Sequence, residues 1–269
     1  EKEVAQFLEN AGVRAKDKSD DAWKAGAGGD RCSLRLRPED VAIIEAASEV
    51  NPHTIVSVIS GSAVIMEEWK DKIPAILMSW YAGSEGGHGL ADVLTNRVPP
   101  SGRLPFSVPT NESHLPHFDI NATTIKYDRW FGQALLDKLG VNAAYPLGFG
   151  LTYTTFVCRD MHLDGKAQAS GREHLDVYAR IKNTGPCHGR YVAQVYGCLD
   201  LPDFPRRLLL GFNTCDVDEE EEVTVHVAAS LRPLQRWRDG RFVLPRGKLK
   251  IEFGSFAGDP GALLCTYDL

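Results

Sequence analysis

The hydrophobic pattern of the chain changes period near its middle. From Pro38 the apolar positions Val41, Ile44 and Ala47 recur at helical spacing. Pro fits a first helical turn, Glu39 and Asp40 suit the positive end of the helix dipole, and Asn51-Pro52 breaks the period. This predicts a helix over residues 38–50. Residues 54–60 (Thr-Ile-Val-Ser-Val-Ile-Ser) are a short β-branched run and predict a buried strand. Gly61-Ser62 then turns the chain into a predicted helix over 63–70. A second apolar strand is expected over 74–80, and a helix over 85–96 with Leu90, Val93 and Leu94 on one face. A further extended segment follows over 104–108. Strands alternating with helices imply βαβ units and a mainly parallel α/β sandwich. Ligands of such sheets sit beyond the carboxyl ends of the strands, which places Gly61-Ser62 and the loop 81–87 on the candidate functional edge. Residues 109–145, rich in Asn, His and Pro, read as a long surface excursion.

Past Phe156 the period shortens to two. Residues 175–182, 191–196, 223–227 and 248–253 alternate apolar with polar positions, with turn signals between them. Short alternating strands of this kind predict a β-sandwich. The fold class is thus α/β followed by all-β. The segments are 1–33, little patterned and rich in Gly, Ala, Lys and Asp; 34–160, the α/β domain, incomplete at its N-terminal end; and 161–269, the sandwich. The second boundary is set in the polar stretch 160–172, which holds Gly165 and Gly171.

Composition narrows the function classes. The 269 residues are 43% hydrophobic, enough to fill two cores. The net charge of -6 disfavours a nucleic-acid partner, which selects for a basic face. No apolar run reaches 18 residues, so no membrane-spanning helix is expected. The start, Glu1-Lys2-Glu3-Val4-Ala5-Gln6, lacks the apolar stretch of a signal peptide and an initiator Met, so the native start is expected upstream. The six cysteines (Cys32, Cys158, Cys187, Cys198, Cys215, Cys265) form no CxxC pair and read as scattered thiols, with one disulfide among the last four as the alternative. His88 and His114 have no ligand-spaced partners, so neither a metal nor a cofactor is expected. Asn111-Glu112-Ser113 and Asn121-Ala122-Thr123 are glycosylation triplets, usable only in a secreted protein.

Three ordered motifs carry the strongest signal. They are Trp80-Tyr81-Ala82-Gly83-Ser84-Glu85-Gly86-Gly87, Pro100-Ser101-Gly102-Arg103-Leu104-Pro105-Phe106, and Pro146-Leu147-Gly148-Phe149-Gly150-Leu151-Thr152-Tyr153-Thr154-Thr155-Phe156. Together they resemble the C-terminal half of a glycoside hydrolase family 3 protein of the β-glucosidase type. Asn183-Thr184-Gly185, Gly189, the run 192–196, Pro205-Arg206, Leu210-Gly211-Phe212, Pro245 and Gly247 resemble the fibronectin type III-like domain that closes many such enzymes.

The resemblance implies a retaining glycosidase acting on a β-glucoside-like carbohydrate. Such enzymes need two carboxyl groups about 5–5.5 Å apart. In the family the nucleophile is an Asp on an N-terminal (β/α) barrel. A barrel of that type takes about 250 residues, so it is expected upstream or in another chain, and this chain alone is expected to be inactive. In many members the acid/base is a Glu shortly before an Asp-Arg pair that resembles Asp30-Arg31 here. No glutamate occurs between Glu9 and Glu39; Asp20, followed by Trp23, falls near that position and is the acid/base candidate. The plainer reading makes Asp20 and Asp21 solvated loop acids. Trp80 and Tyr81 are the candidate sugar-binding aromatics, with core packing as their alternative. Asp30-Arg31, Glu85 and Arg103 read as structural, and the acidic run 216–222 as a solvated turn. The competing function is a non-catalytic carbohydrate-binding or interaction module. The compartment is left open, with an extracellular location favoured if the upstream sequence carries a signal peptide.

Overall fold

A computed structural model describes residues 33–117, 122–164 and 174–269. Among the described residues strands far outnumber helices. They divide into two compact units: one takes in residues up to 57 together with 62–77, the other 58–61 together with 78–269.

In the first unit, helix α1 (Pro38–Val50) starts where the sequence predicts. Arg37 stands in extended conformation before Pro38, and its guanidinium donates to the Asp40 carboxylate at 3.0 and 3.2 Å. That hydrogen bond holds the Asp40 carboxyl below its ordinary range. Beyond α1, the Thr54 hydroxyl donates to the Asn51 carbonyl (2.7 Å) and leads the chain into strand β1 (Ile55–Val58). Strand β2 (Ala75–Met78) forms a two-stranded sheet with β1.

The helix expected over 63–70 does not form. Ile65 bridges Arg35 in parallel, its amide donating to the Leu34 carbonyl (2.8 Å), and a single 3-10 turn covers Lys70–Lys72. The β-branched pair Val64-Ile65 favours this extended path. Val64, Ile65, Met66, Trp69 and Ile73 are buried, whereas no residue of α1 is. The short apolar run therefore served as core, and its period was not helical.

The second unit holds helix α2 (Gly86–Leu94), strand β3 (Val108–Pro109), helix α3 (Gly132–Leu139) and strand β4 (Ala143–Tyr145). Strands β3 and β4 pair antiparallel. The stretch expected to be a bare surface excursion thus contains a helix, with Leu136 buried and Gly140 (φ 68) in the left-handed cap position.

Nine further strands follow: β5 (Phe156–Asp164), β6 (His174–Asn183), β7 (Gly189–Leu199), β8 (Leu208–Val217), β9 (Glu222–Ser230), β10 (Arg236–Arg238), β11 (Arg241–Val243), β12 (Lys248–Gly254) and β13 (Leu263–Asp268). One antiparallel sheet runs β5-β6-β9 and the other β13-β12-β7-β8. Strand β5 begins at Phe156, ahead of the boundary expected at 160. Alternation aims Leu175, Val177, Ala179 and Ile181 of β6 and Val225, Val227 and Ala229 of β9 into one core. Leu249, Ile251 and Phe253 of β12 meet them from the other sheet. Burying a side chain of this size is worth about 1.5–3 kcal/mol each, so this shared core holds the two sheets together.

Strands β3 and β4 and the strands from β5 to β13 pair antiparallel, whereas β1 and β2 run with their carboxyl ends together. Arg35 and Ile65 add an isolated parallel bridge. Cys158, Cys187, Cys198, Cys215 and Cys265 are free thiols, so the last four form no disulfide. The acidic run closes a tight turn, the Glu221 amide donating to the Asp218 carbonyl (3.1 Å), with Glu220 left-handed at φ 59.

Candidate functional site

The carboxyl ends of β1 and β2 lie side by side, because the Ser79 amide donates to the Val58 carbonyl at 2.8 Å. The next residue, Trp80, takes φ 52, a left-handed conformation rare for a bulky side chain. Such a conformation costs about 1–3 kcal/mol and persists only where the surroundings hold it. Here the Trp80 ring meets Phe106 edge-on, 5.6 Å between centroids. Tyr81 follows, 77% exposed. Its ring edge lies over Gly61, where a Cβ would come within 2.7 Å. Gly61 therefore has to be glycine for Tyr81 to lie there. Gly83, at φ 72, then reverses the chain into α2.

This loop presents two aromatic residues, one half-buried and braced, one open to solvent. Their ring faces are apolar surfaces of the kind that suits the CH face of a pyranose. Glu85, at the start of α2, is exposed and among the described residues pairs with the also exposed His88 (2.8 Å). Asp20, the acid/base candidate, lies outside the described residues, as does Asp30-Arg31.

The other two motifs meet each other, and Phe106 of the first of them braces Trp80. The Leu104 amide donates to the Phe149 carbonyl and the Gly148 amide to the Leu104 carbonyl, each at 2.9 Å. Gly150 packs directly on the Gly102 carbonyl and the Arg103 side chain. Arg103 is largely buried, and loss of water pushes its guanidinium below its ordinary range. Gly148, at φ 81, leaves room for Gln194 of β7. The Gln194 amide donates to the Gly148 carbonyl (3.0 Å) and to the Ser255 carbonyl, and its own oxygen accepts from the Tyr196 hydroxyl (2.6 Å). The Ala257 amide donates to the Leu147 carbonyl (2.9 Å). Gly102–Leu104 and Leu147–Gly150 therefore form a clamp onto β7 and the segment after β12. Burial raises the Tyr196 and Tyr191 phenols well above their ordinary range, keeping both neutral as hydrogen-bond partners.

A second tie runs through Asn183. Its side-chain oxygen accepts from the Thr154 hydroxyl (2.6 Å) and the Gly185 amide (3.0 Å). Its NH2 donates to the carbonyls of Cys187 (2.8 Å) and Val217 (3.0 Å). The tripeptide Asn183-Thr184-Gly185 thus fastens the Thr154-Thr155 segment to the sandwich. Asn183, Gln194 and Tyr196 lie in stretches that carried the family resemblance, but nothing in the sequence marked them as clamp residues.

These features have a counterpart among known proteins. The model of the glycosyl hydrolase family 3 C-terminal domain matches residues 7–153, more than half of the chain. The chain belongs to this family through that domain. It is 32% identical over 241 residues to beta-glucosidase B of Emericella nidulans, covering 81% of this chain and 28% of that protein. It is 33% identical over 244 residues to a beta-glucosidase of Bacteroides ovatus, covering 84% and 28% respectively. The structure of beta-glucosidase 3B from Thermotoga neapolitana in complex with glucose superposes with a TM-score of 0.76 at 29% identity, over 89% of this chain and 35% of that one. The chain thus spans little more than a quarter of the curated relatives it matches.

Proposed function

We propose that this chain is the C-terminal portion of a β-glucosidase-type hydrolase, contributing to cleavage of a β-glucoside-like O-glycosyl bond. The observation that carries the reading is the match along about four-fifths of the chain to proteins named beta-glucosidase. The glucose complex of the Thermotoga neapolitana relative supports a sugar as the ligand class. The relatives' names favour a hydrolase over a non-catalytic binding module. The nucleophile would come from a (β/α) barrel upstream or in another chain, since residues 34–160 and 161–269 read as an α/β sandwich domain and a fibronectin type III-like domain. The three- and four-stranded sheets around one core support the latter assignment.

In this reading Trp80 and Tyr81 offer ring faces to the sugar. Asp20 protonates the departing oxygen and then takes a proton from the attacking water. Leaving-group chemistry tests the Asp20 role in the barrel-containing protein. Asp20→Asn should slow hydrolysis of an alkyl β-glucoside by ~100-fold or more. It should slow a nitrophenyl β-glucoside far less in the glycosylation step, because nitrophenolate departs without a proton. Equal effects, or none, on the two substrates would remove Asp20 from the mechanism. Tyr81→Ala should raise KM by about tenfold, equivalent to roughly 1.4 kcal/mol of binding; an unchanged KM would leave Tyr81 out of the sugar site.

A further inference from the structure

An open cleft of about 620 Å³ lies between the segment before α3, the turn before β8 and the hairpin β10–β11. Its size is that of a small-ligand site. Arg129, Arg236 and Arg238 line it together with Phe131, Phe204 and Trp237, and no Asp, Glu or Lys side chain does. The lining is cationic although the chain as a whole carries a net charge of -6. Arg129 and Arg236 both donate to one neutral acceptor, the Asp203 carbonyl, at 3.3 and 3.1 Å. Among the described residues neither pairs with a carboxylate, and neither does Arg238. The Arg236 guanidinium is stacked over Phe204, 4.8 Å from the ring centre, and its Nε is buried with no partner. Two guanidiniums brought to one carbonyl without a counter-ion repel each other, and an anion placed between them removes that repulsion. Planar guanidiniums suit a carboxylate in particular, which can accept from both.

The aromatic residues add a second requirement. Trp237 and Phe131 are each 62% exposed, at the edge of the cleft. Trp237 is braced edge-on by Phe242 (4.7 Å between centroids), itself covered by the Arg232 guanidinium at 3.3 Å. The bracing orders the side chain before any ligand arrives, which lowers the entropic cost of binding. A ring with an apolar face that also carries a carboxylate answers both halves of the lining.

We propose that this cleft binds an acidic saccharide through a uronic acid residue, its carboxylate between Arg129 and Arg236 and its ring against Trp237. The inference does not depend on the hydrolase reading, because it uses none of the residues assigned to that reaction. Calorimetric titration of the 269-residue chain with an oligogalacturonate, a neutral cello-oligosaccharide and a substituted benzoate separates the sources of this chemistry. The acidic oligosaccharide should bind at least tenfold tighter than the neutral one and than the benzoate, and weaken as salt is raised. Arg236→Gln and Trp237→Ala should each reduce that affinity about tenfold or more, with circular dichroism unchanged. Arg238→Gln, at an exposed position, serves as the variant least able to disturb folding and should reduce affinity in the same direction. Equal affinity for the neutral sugar, preference for the benzoate, no binding of the oligogalacturonate, or binding unaltered in Trp237→Ala and Arg238→Gln would each overturn the proposal.

Discussion

Single positions show how much of the fold rests on backbone that only glycine can supply. Gly148 combines a left-handed φ with direct approach to Gln194 and Tyr196, whereas Gly140 has the same backbone and open space around its missing Cβ. Gly148→Ala should therefore cost about 3 kcal/mol or more, backbone strain plus a clash. Gly140→Ala should cost only about 1 kcal/mol. Urea unfolding of the two variants separates the contributions. Cys215 offers a test of burial by titration: desolvation pushes its thiol up to about 11 from an ordinary 9.0. The protonated thiol is favoured in the folded state, so its stabilising contribution is intact below pH 9 and is lost as pH rises toward 11. Alkylation of Cys215 should stay slow through pH 9 and accelerate only above it; full reactivity at pH 8 would contradict the burial.

At the scale of elements, helix α3 is held to the sandwich by a run of polar contacts. The Ser107 hydroxyl donates to Gln133 (2.7 Å), whose NH2 donates to Asp137 (3.0 Å). Asp137 pairs with Arg207 at 3.0 Å, and Arg207 with Glu252 at 2.9 Å. Both Asp137 and Arg207 are mostly buried, at 8% and 16% side-chain exposure. Removing the cation strands two carboxylates, so Arg207→Met should cost roughly 3 kcal/mol. Adding Asp137→Leu should restore part of that loss, because it removes one of the stranded charges. Chemical denaturation of the single and double variants reads both. None of this was visible as a pattern, since it depends on three residues separated by 70 and 45 positions. Strands β6, β9 and β12 were legible because each buries one face. Strand β7 is buried along nearly its whole length, and only its middle was recognised. Strand β8, with Asn213-Thr214 exposed, carries no alternation to read. The false helix over 63–70 and the missed α3 share a cause: short segments whose period is set by what they pack on.

For the whole molecule, the motifs announced family membership more clearly than they announced roles. The loop 81–87 was expected at a strand's carboxyl end and stands there, with Trp80 and Tyr81 presented at its start. The motifs around Gly102 and Gly148 prove to be the clamp onto β7, a task that composition and spacing did not reveal. The acid/base candidate Asp20 was legible only through resemblance. Exposed apolar residues such as Ile43, Val50, Leu94 and Leu151 leave surface open to association. The isolated chain should elute from size exclusion, with light scattering, above monomer mass; a sharp monomeric peak would show that these positions are harmless singly. The central claim concerns the protein to which this sequence belongs, and it is tested by turnover. The native product, captured from its source with an antibody against this chain, should release nitrophenolate from a nitrophenyl β-glucoside, while the 269-residue chain alone should not. A captured product with no turnover would contradict the hydrolase reading.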